Sequence, residues 1–381
     1  MMDEKQFEVE MLAVRQDIDH IDKALTPLLI ERMQCSERVA KIKGQAGKPV
    51  LDASREKAIL TRIRESSAEF GDSLVPVYRS IMAVSRMRQH RQMQMADGIR
   101  QLVQEAPTTF QPRGARVFCQ GVRGAYTHRA ARHFFPDTDI AFIETWNEVF
   151  EAVAANRADY GVLPVENSAA GAVSDVYTLL MEYRFFIVGA ATEKISHCIA
   201  AAEGHGEIKR VVSHPQGLMQ CTEYIKSKRL EQQEYGNTAA AAKYVAESKP
   251  EDTAAICSEE AAREYGLAVL EKNIQNTKQN ATRFVVIAKK PVLPVDADKI
   301  SLCFSLPHEA GSLYQILERF AVHGLNLTKI ESRPIPERNF EYDFYLDFTG
   351  NLHDDETSAL IGMLQQELPR FSFLGNYKER Q

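Results

Sequence analysis

The chain has 381 residues, of which 44% are hydrophobic and 26% charged, and a formal net charge of −6. That length allows two to four domains, the composition is ordinary for a soluble globular protein, and a net negative chain is a poor non-specific binder of nucleic acid or anionic membranes. Its six cysteines (Cys35, Cys119, Cys198, Cys221, Cys257 and Cys303) are scattered, with no Cys-x-x-Cys pair and no clustered histidines, which argues against a metal site or disulfide framework and for reduced thiols in a cytoplasmic protein.

The N-terminus is acidic and lacks the apolar core of a signal peptide, and no run reaches membrane-spanning length. Helix is predicted almost throughout residues 4–104. Leu12, Ile18, Ile21, Leu25, Leu28, Leu29, Met33, Val39 and Ile42 recur at three- and four-residue steps. They predict one helix from about residue 7 to residue 43, which needs a partner to cover its apolar stripe. Gly44, Gly47 and Pro49 break it. Further helices are expected over about 53–66 and 74–102, and three such helices bury so little alone that an intertwined dimer is expected.

A linker over 107–114 separates this region from one of alternating strands and helices, an α/β arrangement ending near residue 288. A second break at 289–294 precedes strand, helix, strand, strand and helix, an order suggesting a small ferredoxin-like module. The expected domains are therefore 1–104, 105–290 and 291–381.

Polar residues gather on the helical region. Arg32 and Lys43 are close to three whole turns apart and share a face; Asp52, Arg55 and Glu56 can share another; Ser85 and Gln89 are one turn apart. Arg15 is turned about 100° from Arg32, so within one chain it does not easily join it, but it could reach a site in a dimer partner. This region resembles the all-helical chorismate mutase domain over about residues 10–92. The resemblance implies a ligand set of Arg15, Arg32, Lys43, Asp52, Arg55, Glu56, Ser85 and Gln89. Arg15, Arg32 and Arg55 would clamp carboxylates, Lys43 and Gln89 would donate to the ether oxygen, and Glu56 and Asp52 would hold the substrate hydroxyl and order the bases. Such a site needs neither nucleophile nor cofactor: it holds a dianion in its reactive shape and stabilises charge on the ether oxygen.

In the α/β region, small and polar residues cluster at strand ends: Gln120 to Thr127, Pro164 to Gly171, Ser213 to Gln216 with Gln220, Asn237 to Ala240, and Asn280-Ala281-Thr282-Arg283-Phe284. Strand ends facing helix N-termini are where open α/β sheets bind anions. These segments together are similar to prephenate dehydratase over about residues 114–288. The resemblance implies two lobes around a cleft, as in type-2 periplasmic binding proteins, and conversion of prephenate to phenylpyruvate. Thr282 would assist hydroxyl departure, and Arg283 would either hold a carboxylate or brace the loop. Glu166, Asn167, Ser168, Ser213, Gln220, Thr238 and Phe284 would line the cleft. His214, before a proline, reads more readily as a loop residue than as a base, and His128 and His133 as surface or packing residues. Gly121 and Gly124 lack the spacing of a dinucleotide loop, so no cofactor is expected.

The last region resembles the ACT regulatory module of phenylalanine-controlled dehydratases, with Gly311-Ser312-Leu313 where the family usually has Gly-Ala-Leu, then Asn326, and Glu331-Ser332-Arg333-Pro334. The resemblance implies paired modules enclosing phenylalanine. The whole reads as a bifunctional, phenylalanine-inhibited chorismate mutase–prephenate dehydratase, at least dimeric. The rival readings are a dehydratase whose helices only dimerise, separable by chorismate disappearance, and a non-catalytic amino-acid-sensing regulator, against which stands the lack of a DNA-reading motif or basic face.

Overall fold

The computed structural model describes residues 3–93, 98–277, 279–309, 311–335, 338 and 341–380. Four helices come first: α1 (Glu4–Gln45), α2 (Ala53–Ser66), α3 (Gly71–Met93) and α4 (Gly98–Glu105). The expected helix to residue 102 is thus found as two pieces, and residues 94–97 between them lie outside the described residues. The α/β region follows with β1 (Val117–Gln120), α5 (Tyr126–Phe134), β2 (Ile140–Ile143), α6 (Trp146–Ala154), β3 (Tyr160–Asn167), β4 (Gly171–Ala172), α7 (Ser174–Tyr183) and β5 (Phe186–Lys194). It continues through β6 (Cys198–Ala201), β7 (Arg210–Ser213), α8 (Pro215–Gln220), α9 (Thr222–Ser227), β8 (Glu231–Glu234), α10 (Thr238–Ser248), β9 (Thr253–Cys257), α11 (Glu259–Glu264), β10 (Ala268–Lys272) and β11 (Ala281–Ala288). The last stretch is β12 (Lys299–Ser305), α12 (Ser312–Val322), β13 (Leu327–Pro334), β14 (Tyr342–Thr349), α13 (Asp355–Glu367), β15 (Ser372–Tyr377) and β16 (Glu379–Arg380).

The chain divides into two compact units, one of Met1–Gln101, Leu313–His323 and Asp355–Glu367, the other of Leu102–Ser312, Gly324–Asp354 and Leu368–Gln381. In the first, α1, α2 and α13 all pack on α3. Only Ser36 and Ala40 of α1 are buried. Its apolar stripe is open, with Leu12, Ile21 and Leu28 each 57–62% exposed. Asp52 starts α2 as its N-cap: Oδ1 accepts from the Arg55 amide at 3.0 Å and from Ser54 Oγ at 2.8 Å. Those two bonds hold its carboxyl below the usual carboxylate range. None of the described helices is long and apolar enough to cross a membrane.

The second unit holds three sheets. The first runs β16-β5-β11-β3-β1-β2, with β4 on β3, and the second β10-β6-β9-β7-β8. The chain leaves the first sheet between β5 and β6 and returns between β10 and β11, which makes two α/β lobes joined by two crossing segments. The third sheet runs β13-β14-β12-β15. Gly375 on β15 meets β5 so closely that a Cβ there would stand 2.1 Å from the Ile187 carbonyl oxygen, a contact only glycine permits.

Several elements escape the periodicity reading. β8 is an edge strand of Glu-Gln-Gln-Glu with three of its four residues exposed, so no apolar alternation marks it. β15 completes the third sheet although its glycine and serine weaken the strand pattern. α8 and α9 are two short helices that meet at Cys221.

Candidate active sites

In the first unit, α1 and α3 bring Arg32 and Ser85 together: Arg32 donates to Ser85 Oγ at 2.6 Å, and Ser85 donates to the Ile81 carbonyl at 2.8 Å. Lys43 Nζ donates to the Val50 carbonyl where the chain turns into α2. Glu56 sits one turn into α2 and is gripped by Arg86 of α3, with Arg86 Nη1 2.6 Å from Oε2 and also bonded to Oε1. Gln89 is buried, and its Oε1 has no hydrogen-bond partner among the described residues. Arg55 is exposed. Arg15 is exposed far up α1, apart from the group around Arg32, as the helical repeat requires. Of the eight expected residues, Arg32 and Ser85 are in direct contact, Lys43, Glu56 and Gln89 lie on the same three helices, and Asp52 and Arg55 are exposed at the start of α2. Arg86 was not foreseen: it is one more arginine on a helix rich in them, and only its burial sets it apart.

The second site forms where β3 and β11 pair antiparallel, with Thr282 opposite Asn167 and Arg283 opposite Glu166. Thr282 lies inside β11, which begins at Ala281. Asn167 Nδ2 donates to Thr282 Oγ1 at 2.8 Å and to Asn280 Oδ1 at 2.9 Å. Asn167 Oδ1 accepts the amides of Ala169 and Ala170 at 3.0 and 2.9 Å, which fixes the side-chain amide the right way round. Thr282 Oγ1 therefore accepts, and its own proton is left for another acceptor. Ser168 Oγ accepts from the Ala281 amide at 2.9 Å and closes the turn.

From the second lobe, His197 Nε2 lies 2.9 Å from Gln220 Oε1, and the His197 amide donates to Gln275 at 3.0 Å. Burial lowers the His197 pKa, which favours the neutral ring. Ser213 is fully buried and donates to the Ile256 carbonyl at 2.6 Å. Thr238 opens α10, whose cap is Asn237. A Cβ added to Gly217 would stand 2.8 Å from Ser213 Oγ and 3.2 Å from Thr238 Cγ2, and one on Gly121 3.9 Å from Asn237 Nδ2, so these strand-end segments lie close together. Asn280 stood in the stretch named from sequence but without a role of its own, and His197 and Gln275 were not singled out, because they lie in crossing segments with no periodic signal. His214 Nδ1 accepts from the Gln216 amide at 3.2 Å, the structural loop role expected of it. His128 Nδ1 is occupied by the Gly124 amide, and His133 pairs with Glu193.

The two roles left open for Arg283 separate here. Its guanidinium is taken by the protein itself: Asp347 at 2.6 Å, the Tyr377 hydroxyl at 2.6 Å, and Glu379 at 2.9 Å. Burial works against its charge, but Tyr377 and Asp347 outweigh that and raise its pKa. Phe284 is buried among Val117, Val162 and Val286, a core position rather than a cleft wall. Glu166 accepts from Lys329 of β13 at 2.8 Å, and Lys329 stands over the Tyr177 ring.

In the last region, Gly311 takes a left-handed φ of 86° before α12, and Ser312 Oγ donates to the Glu309 carbonyl at 3.0 Å. Leu313 is half-buried. Asn326 accepts the Thr349 amide through its carbonyl. On β13, Glu331 pairs with Arg333 at 3.0 Å, while Ser332 and Pro334 face outward.

Cationic and amide side chains on three helices, and a separate threonine–asparagine pair on the first α/β sheet, are two distinct polar groupings on one chain. The prephenate dehydratase family model matches residues 117–292, and the chorismate mutase type II model residues 14–90. A bifunctional chorismate mutase/prephenate dehydratase of Aquifex aeolicus is 32% identical over 378 residues, 97% of this chain and 98% of its own length. Its Escherichia coli counterpart is 34% identical over 379 residues, 96% of each chain. The crystal structure of an Arthrobacter aurescens prephenate dehydratase in complex with L-Phe matches with a TM-score of 0.63 at 29% identity, covering 69% of this chain and 89% of that one. The chain belongs to the bifunctional chorismate mutase/prephenate dehydratase family.

Proposed function

We propose that the α1–α2–α3 site rearranges chorismate to prephenate and that the Asn167–Thr282 site converts prephenate to phenylpyruvate. The domains are taken as 1–104, 105–290 and 291–381. The observation that carries the second step is the Asn167 amide donating to Thr282 Oγ1. As the substrate C–O bond breaks, the leaving hydroxide takes the Thr282 proton and departs as water, the ring carboxylate leaves as carbon dioxide, and the electron pair it leaves behind aromatises the ring. A threonine alone is a very weak acid; the amide stabilises negative charge on its oxygen during the transfer. Arg283 braces the strand pair through Asp347, Tyr377 and Glu379 instead of touching substrate.

At the first site Arg32 and Arg55 clamp carboxylates, Lys43 and Gln89 face the ether oxygen, and Glu56 takes the substrate hydroxyl. Arg15 serves the same reaction in a partner chain. The open stripe on α1 supports a dimer in which each long helix covers the other. The β-α-β-β-α-β order of the last region and its sheet order support an ACT-type module that binds phenylalanine, as does the L-Phe named with the Arthrobacter structure. The free cysteines support a cytoplasmic location.

Separate variants test the division. Lys43→Ala should lower chorismate turnover by roughly 100-fold or more while prephenate turnover stays within about twofold, the usual weight of one electrostatic donor. Thr282→Ala should do the reverse. Loss of both rates in either variant contradicts the assignment.

A further inference from the structure

Glu56 is the member of the helical site whose position is most visibly held by another side chain. Both of its oxygens are bonded to Arg86. Arg86 is itself 9% exposed at its side chain, and its Nε lies 3.1 Å from Oε1 of Glu367 on α13, which is 4% exposed. Arg319 of α12 pairs with Oε2 of Glu367 at 2.7 Å, and His90 lies 3.6 Å from Oε1. Two buried guanidiniums and two carboxylates therefore run in a chain from Glu56 to α12. Inside protein such groups are held only by one another, so displacing one leaves the next uncompensated. Glu56 keeps lone pairs for a substrate hydroxyl while Arg86 fixes the plane of its carboxylate. The chorismate mutase match ends at residue 90, so Glu367 lies far outside it.

We propose that Arg86 is a positioning residue of the mutase site, that Glu367 fixes Arg86, and that the C-terminal helix α13 therefore helps set the geometry of Glu56. The inference rests on the mutase reading of Glu56. Any change that shifts α13 is felt at the mutase site through Arg86, without contact between α13 and substrate.

The test measures chorismate kcat and KM for Arg86→Lys and Glu367→Gln in the full chain, with prephenate turnover as internal control. Arg86→Lys keeps the charge but has one nitrogen where the guanidinium uses Nη1 for Glu56 and Nε for Glu367, so it cannot bridge both; it should lower mutase kcat by about 10-fold, with KM moving less. In a Glu56→Gln background the same change should cost under about twofold, because the group being positioned has changed. Glu367→Gln should lower mutase kcat by about threefold or more and leave the dehydratase rate unchanged. Equal effects of Arg86→Lys in both backgrounds, or a Glu367→Gln chain with wild-type mutase kcat, would overturn the proposal. A wild-type chain that leaves chorismate untouched would instead sink the mutase reading itself.

Discussion

In the proposed mechanism Thr282 depends on the amide of Asn167, and the geometry makes the dependence testable. Asn167→Asp preserves size but puts a carboxylate oxygen where an N–H donated to Thr282. Negative charge would then face the oxygen that must carry negative charge. The dehydratase kcat should fall by roughly 100-fold, with KM changed little, and steady-state kinetics on prephenate would show it. A kcat within threefold of wild type would remove Asn167 from the mechanism. Thr282 and Asn167 were legible as residue types at strand ends. The role of Arg283 was not, because its partners Asp347, Tyr377 and Glu379 lie 64–96 positions downstream, where no local pattern links them. Phe284 misled for the opposite reason: it sits beside Thr282 and Arg283 in sequence, but alternation along the strand turns it into the core.

Among elements, β11 and α13 each carry a buried charge whose loss has a defined sign. Asp347 is fully buried and bonded to Arg283 and Ser301. Arg283→Met would strand that carboxylate and destabilise the second unit by about 3–5 kcal/mol. Denaturant unfolding should register the loss, and an unshifted midpoint would contradict it. On α13, burial acts to raise the Glu367 carboxyl, yet His90, Arg319 and Arg86 together hold it at about 2 against an ordinary 4.5. Its folded value lies below the unfolded one, so its contribution is fully present above pH 4.5 and is lost as pH falls towards 2. The first unit should lose thermal stability through that window, and Glu367→Gln should flatten the dependence. An identical slope in variant and wild type would exclude it. α1 was legible because its apolar residues recur at three- and four-residue steps; β8 and β15 were not, since edge position and glycine erase alternation.

Across the whole molecule, two sites of different construction lie in tandem on one chain. On the proposed reading, the first grips a dianion with cations and amides on helices and uses no proton transfer. On the same reading, the second presents one hydroxyl, Thr282, bonded by Asn167 across the β3–β11 pair. Phenylalanine at millimolar concentration should lower prephenate turnover if the last module senses it; an inhibition curve flat over that range would leave the module without that role. The α1 stripe was legible as a surface in need of a cover, since a helix of 42 residues cannot bury it alone. The most direct measurement follows chorismate supplied alone to the purified chain. One molecule of phenylpyruvate should appear for each chorismate consumed, with prephenate rising first and then falling. Chorismate left unchanged, or a reaction that halts at prephenate, would contradict the account.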